Sequence, residues 1–296
     1  MVSKFTHQKD EAARKLREGS SLVQTALGPV EAVRNGEGPA VLILHGAGGG
    51  YDQGMLATDK LSEEGYQVIA ISRPGYLRTP LETGQTHEEQ ADACAALLDE
   101  FGIKSVAIAG ISAGGPPSIQ FALRHPDRCW GLLLVSAVNA SHPYHYVPIH
   151  EQLIQAGLST VDFPYWMYLK APFLPFLGGP KLKNQKKLSP EVKERLQVLV
   201  GTAFPLSLRS QGILNDAKQI KSIPDLPLEQ IQAPTLVIHG DADRLVPFSH
   251  GMRSAETIPQ ADFLRIPGGS HLCAITHFEE IEPAVIAFLK KNAPRK

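Results

Sequence analysis

Val106-Ala-Ile-Ala-Gly-Ile-Ser-Ala-Gly-Gly115 joins an uninterrupted run of small apolar residues to a glycine turn with one hydroxyl at its apex. The run at 106–109 has the composition of a strand covered on both faces, Gly110-Ile-Ser-Ala-Gly114 fits G-x-S-x-G, and 118–123 reads as the helix that follows. At so sharp a strand-to-helix turn the central residue is strained, and glycines two positions to either side let neighbouring chain pass close to it. Ser112 is thereby set above the carboxyl end of a sheet, beside a helix N-terminus whose free amides favour developing negative charge. The same letters also describe a Gly/Ser turn that merely opens a helix. The flanking strand and helix patterns argue against that reading.

Working outward, the pattern of strand, helix, strand with short connections repeats. Buried strands are expected at 40–44, 67–72, 105–109, 131–136, 234–240 and 262–266, with helices at 52–64 and from Thr86, where Thr86 and Glu89 fit a capping box. This alternation predicts an α/β fold, a mostly parallel sheet with helices on both faces. Before it, 8–18 reads as a short amphipathic helix and 21–27 with 30–34 as antiparallel strands around Gly28-Pro29. A second capping box, Thr276 to Glu279, is expected to open a C-terminal helix running to about Lys290. Between Ala140 and about Ile231 the rhythm breaks into proline-rich, aromatic and helical stretches. That is too long for a structureless loop, so the expected organisation is a core (1–139), an inserted helical cap (140–230) and the rest of the core (231–296).

The chain has 296 residues, 43% hydrophobic and 20% charged, with a formal net charge of -1, which leaves no electrostatic footprint for nucleic acid or an anionic membrane. The basic cluster Lys181, Lys183, Lys186 and Lys187 reads as a solvated connection. No apolar stretch has the length of a signal peptide core or a membrane span, so a cytoplasmic location is expected. Cys94, Cys129 and Cys273 lack C-x-x-C spacing and read as reduced thiols, with Cys273 placed to line a pocket around its neighbour His271.

A serine hydroxyl is a poor nucleophile until a base takes its proton, and the base works best when a carboxylate fixes its tautomer. Both partners follow in order at strand ends: Asp243 in Gly240-Asp-Ala-Asp-Arg-Leu-Val-Pro247, and His271 in Gly268-Gly-Ser-His271. With these, the chain resembles the α/β-hydrolase family over nearly its whole length, from His45-Gly46 through the elbow to His271, and the insert resembles that family's cap. The resemblance implies a sheet of about eight strands, Ser112 as nucleophile, His271 as general base and acid, and Asp243 as orienting carboxylate. It also implies an oxyanion hole from the Ala47 and Ala113 amides, with Gly48 a lesser contributor.

Rivals stand beside these. Asp241 competes for the carboxylate role, Arg244 is placed to pair with Asp243, and His250 and His277 compete with His271 from helical surroundings. His45 and His239 read as hydrogen-bonded turn residues. The glycine-rich turn after His45 lacks nucleotide-binding spacing. His142, His145 and His150 suggest a wet cap entrance more than a metal site, because no further ligands complete a set. The aromatic cluster Phe163, Tyr165, Trp166, Tyr168, Phe173 and Phe176 is either the insert's own core or a pocket lining. Ser72 stands where many relatives carry Asp before Arg-Pro-Gly. The function expected is hydrolysis of a small, largely apolar ester, thioester, lactone or amide through an acyl-enzyme, with a small molecule as partner and neither cofactor nor metal. A ligand receptor on the same fold, and a C–C bond hydrolase or lyase using the same residues, are the alternatives.

Overall fold

A computed structural model of the chain describes residues 2–141, 162–170 and 188–294. Eight strands form one sheet: β1 (Ser21–Thr25), β2 (Gly28–Asn35), β3 (Ala40–Leu44), β4 (Gln67–Ile71), β5 (Val106–Ile111), β6 (Cys129–Val135), β7 (Thr235–Gly240) and β8 (Ala261–Ile266). Their spatial order is β1-β2-β4-β3-β5-β6-β7-β8. The first two strands pair antiparallel, and β4 through β8 with β3 run parallel. The helices are α1 (Val2–Glu18), α2 (Tyr51–Gly54), α3 (Thr58–Glu63), α4 (His87–Glu100), α5 (Gly115–Arg124), α6 (Asp162–Leu169), α7 (Pro190–Thr202), α8 (Ser210–Ile220), α9 (Phe248–Thr257), α10 (Cys273–Thr276) and α11 (Phe278–Asn292).

Alternation along each strand divides the core between two faces. Leu42 and Leu44 of β3 pack with Ile108, Ala91, Leu98, Ile119 and Phe121 under α4 and α5. Val41 and Ile43 face the other way, toward Leu61 of α3 and Ile281, Phe288 and Leu289 of α11. Every residue of β3 and β7 is buried, as parallel strands covered on both sides require. The sheet therefore presents its carboxyl edge, the one exposed by short strand-to-helix turns, as the place for a site.

Three local expectations are corrected. The helix expected over 52–64 is broken into α2, a 3-10 turn at Met55–Ala57 and α3. The amphipathic helix at the start begins at Val2, because its first turns have a partner: Phe5 packs edge-on to Phe163 and Trp166 of α6, and Gln8 accepts from the Trp166 indole at 2.7 Å. The capping box at Thr276 does not form: the Thr276 hydroxyl turns back to the Leu272 carbonyl and to His277, which itself occupies the N-cap position of α11. The Thr86 box forms as expected, with reciprocal bonds to Glu89.

Within 140–230 the described residues contain helices and no strand. The limb that returns to the core, about 202–220, is tied down by two buried arginines. Arg73, in the turn after β4, makes a two-pronged bond to Asp216 of α8 at 2.9 and 2.5 Å, with Tyr76 donating to the same carboxylate. Arg209 reaches back to the Gly49 carbonyl and the Asp52 carboxylate. Gly75 and Gly212 meet backbone to backbone, Gly212 donating to the Gly75 carbonyl at 2.8 Å, and a side chain at Gly212 would collide with the Tyr76 ring.

Candidate active site

Ser112 stands where β5 passes into a 3-10 turn and α5, with φ at 53°. That left-handed conformation costs a residue with a side chain about 1–3 kcal/mol, held here by the close fit around it. A Cβ on Gly110 would meet the Ser118 hydroxyl at 2.6 Å and one on Gly114 would strike the Leu44 and His45 carbonyls, so neither position accepts another residue. The His45-Gly46 turn passes directly beside the serine: a Cβ on Gly46 would lie 3.2 Å from that of Ser112.

The structure brings together the three side chains chosen from sequence. His271 Nε2 lies 3.0 Å from Ser112 Oγ, and His271 Nδ1 lies 2.8 Å from Asp243 Oδ2. An ionised carboxylate only accepts, so Nδ1 carries the imidazole proton and Nε2 is left to accept from the serine hydroxyl. Asp243 is buried; its Oδ1 accepts from the Leu245 and Val246 amides at 2.8 and 3.0 Å, while the His239 Nε2 stands 3.4 Å from Oδ2. Burial alone would raise this carboxyl's pKa, but hydrogen bonds from His239 and His271, the His271 charge and the Leu245 amide outweigh it and hold Asp243 well below the usual carboxylate range. The carboxyl ends of β7 and β8 both contribute: Gly240 closes β7, and Ala242 donates to the Gly269 carbonyl at 2.9 Å, locking the aspartate loop to the histidine loop.

The rivals fall elsewhere. Asp241 is bound to Arg265 at 2.9 Å and to the Gly268 amide, a turn and surface role. Arg244 is exposed, and the Asp243 carboxylate is turned to His271 instead. His250 pairs with Asn139, and His277 with Thr276. His45 is a buried turn residue: its Nε2 accepts from the Arg73 amide at 3.0 Å, so its Nδ1 donates to the Gly46 carbonyl at 2.7 Å. Burial, reinforced by the nearby Arg73 charge, pushes its pKa well below the ordinary imidazole value, fixing that neutral tautomer. His239 was expected to be only a turn residue; its contact with Asp243, four residues on, carries no sequence signal.

Ala47 and Gly48 line the cavity with Ser112, and Ala113 is the buried residue that follows it in the first turn of a helix, where amides have no acceptor inside the helix. Cys273, expected to line the pocket, is instead fully buried behind it, its Sγ 3.6 Å from the Ser136 hydroxyl, while its neighbours Leu272 and Ala274 line the space. Cys94 and Cys129 are buried free thiols, pushed by burial up to about 12. Ser72 donates to Glu31, a fully buried carboxylate on β2 that also binds Arg78, so a neighbouring strand supplies the acid there.

The cavity above and beside Ser112 holds about 470 Å³, within the range of small-molecule sites. The aromatic cluster divides: Phe163 and Trp166 pack on α1, whereas Tyr165 and Tyr168 line the cavity. Phe173, Phe176, the four lysines of 181–187 and His142, His145 and His150 lie outside the described residues. Among the described residues no helix is long and apolar enough to cross a membrane, and no cluster of His, Cys, Asp and Glu is arranged to hold a metal ion.

Comparison with known proteins agrees with this architecture. Residues 39–278 match the alpha/beta hydrolase fold family, and the chain belongs to it. It is 27% identical over 259 residues to a 2-hydroxy-6-oxononadienedioate/2-hydroxy-6-oxononatrienedioate hydrolase of Burkholderia vietnamiensis, covering 85% of this chain and 87% of that one. An alpha/beta hydrolase fold protein from Nakamurella multipartita superposes with a TM-score of 0.76 at 30% identity, over 91% of this chain and 98% of the other. A thermophilic esterase from Thermogutta terrifontis shares the fold at a TM-score of 0.73 and 23% identity, over 93% and 99% of the two chains. The protein is thus an enzyme of the α/β-hydrolase class.

Proposed function

We propose that the protein hydrolyses a largely apolar carboxylic ester or thioester through an acyl-enzyme on Ser112, with residues 140–230 acting as its cap. The observation that carries this is the continuous hydrogen-bonded chain from Ser112 through His271 to Asp243 at the floor of a mostly apolar cavity. In the first half-reaction Ser112 Oγ attacks the carbonyl carbon as His271 Nε2 takes its proton, and the carbonyl π electrons move onto oxygen. The Ala47 and Ala113 amides are assigned to that oxyanion. Collapse expels the alcohol or thiol, protonated by His271, and leaves the acyl group on Ser112. Water then attacks under the same histidine, releasing the carboxylic acid and restoring the serine hydroxyl. Asp243 stays ionised throughout, orienting His271 and stabilising its cation.

A second reading, hydrolysis of a C–C bond, has one observation behind it: the Burkholderia relative is named as a hydrolase of 2-hydroxy-6-oxononadienedioate, and a 28% identical relative from Pseudomonas putida as a 2-hydroxymuconate semialdehyde hydrolase. Against it, of the two lysine and arginine side chains lining the cavity among the described residues, Arg195 is bonded to Glu282 at 2.9 Å, leaving only Lys60, loosely paired with Glu63 at 3.6 Å, to anchor a dicarboxylate. The deciding experiment is a p-nitrophenyl ester panel beside a 2-hydroxy-6-oxodienoate substrate, with fluorophosphonate labelling of the wild type and Ser112→Ala. The proposal expects labelling of the wild type only and ester turnover well above that of the dienoate. Faster consumption of the dienoate would establish the second reading, and ester turnover unchanged in Ser112→Ala would remove Ser112 as nucleophile.

A further inference from the structure

The cavity does not stop at the serine. It continues down the sheet face beneath α11, lined by Ile111 and Ala109 of β5, Ile43 and Val41 of β3, and Val285 and Ile286 of α11. Residues in the middle of an eight-stranded sheet under a helix are expected to be closed off, and on the opposite face they are. Here Ala109, Ile111, Val285 and Ile286 keep partial solvent contact, whereas Phe288 and Leu289, the next residues along α11 on this face, are buried.

The shape follows from the register. Ala109 lies between Ile43 and Leu133, and Ala107 between Val41 and Gly131. Ala109, small between the branched Ile43 and Leu133, leaves a trough one strand wide over β5, at about 4.8 Å between neighbouring strands. Phe288 closes its far end, its ring 3.3 Å from where a Cβ on Gly131 would stand. From Ser112 to the level of Val41 is five residues of β5, about 16 Å at about 3.3 Å per residue. Of the charged lining residues, Lys60 and Arg195 belong to α3 and α7, while Glu282 stands on α11 one turn before Val285 and Ile286 and is paired with Arg195; the remaining walls on β3, β5, β6 and α11 are apolar.

We infer that this trough holds the linear acyl chain of the substrate, its carbonyl at Ser112 and its distal carbons between β5 and α11, which makes the substrate a medium-chain acyl ester or thioester. The inference rests on the acyl-enzyme reading of Ser112 and narrows it. A saturated chain advances about 1.3 Å per carbon, so about 16 Å holds roughly twelve carbons.

The test is a chain-length series of p-nitrophenyl esters from acetyl to hexadecanoyl on the wild type and on two variants that narrow the trough from opposite walls, Ala109→Leu and Val285→Phe. Wild-type kcat/KM should climb to a maximum between octanoyl and dodecanoyl and fall beyond. In whichever variant folds by circular dichroism, the ratio of kcat/KM for dodecanoyl over butyryl should fall at least about 30-fold, carried by KM. An unchanged ratio in a folded variant whose Ser112 still reacts with fluorophosphonate overturns the trough inference alone. A wild type that neither labels nor turns over any ester overturns the acyl-enzyme reading, and the inference with it.

Discussion

Asp243 and Asp216 are both buried carboxylates held by nitrogen donors, and only one of them stands in a path along which a proton can move. Asp216, on the limb that returns from the insert, faces the Arg73 guanidinium and the Tyr76 hydroxyl. A guanidinium is charged at every accessible pH, so this pair holds geometry and exchanges nothing. Asp243 faces an imidazole whose far nitrogen faces the Ser112 hydroxyl. The difference lies in the partner: burial and hydrogen bonding alone do not mark a carboxylate as part of a reacting site. The two regions also meet, since Arg73 binds the His45 carbonyl and Arg209 the Gly49 carbonyl, so the clamp grips both sides of the turn assigned to the oxyanion.

Breaking the two carboxylates separately should therefore give opposite signatures. Asp243→Asn should lower kcat with the best ester by roughly 10⁴-fold, because an amide fixes the wrong His271 tautomer; a loss under tenfold per folded molecule would remove Asp243 from the relay. Asp216→Ala should do the reverse. It leaves the Arg73 charge buried and unpaired, for about 3–5 kcal/mol of stability by urea unfolding, with kcat per folded molecule reduced no more than about tenfold.

The pH dependence sharpens the contrast from the clamp side. His87, buried at the start of α4, is pushed by burial from 6.5 down to about 4. The unfolded chain thus takes up this proton before the folded one does. Stability contributed by the neutral imidazole is present above pH 6.5 and declines as pH falls toward 4, by up to about 3 kcal/mol. Melting curves between pH 7.5 and 4.5 should converge for wild type and His87→Gln at neutral pH only if the variant is otherwise benign, and the wild type should fall more steeply on acidification. Parallel curves would mean that His87 is not held neutral. The smallest effect belongs to Asp241→Asn, the sequence rival of Asp243. Losing a surface pair with Arg265 should leave the melting temperature near that of wild type and ester turnover within a few-fold of it.

Legibility from sequence tracked distance along the chain. The strands β3 to β8, the elbow at Ser112 and the Thr86 capping box were readable because each is written in neighbouring residues. The break between α2 and α3 was not, since no proline interrupts 52–64. The Thr276 box failed because the motif cannot tell whether the hydroxyl has a nearer acceptor, and here the Leu272 carbonyl is one. Nothing local marked Glu31 as the carboxylate for Ser72, 41 positions away, or Asp216 as the partner of Arg73.

What the sequence by itself determined is the alternation that makes a covered parallel sheet, the strained turn that lifts Ser112 above it, and the order of serine, aspartate and histidine at strand ends. Strand burial and turn chemistry are properties of a few adjacent residues, and so they are written there. Only the tertiary structure decided that His271 bridges Ser112 and Asp243, that two buried arginines lock the returning limb, and that an apolar trough runs beneath the serine. These depend on side chains from separate elements being packed to within a few ångströms, and the register and helix placement that achieve this are set by the whole core at once.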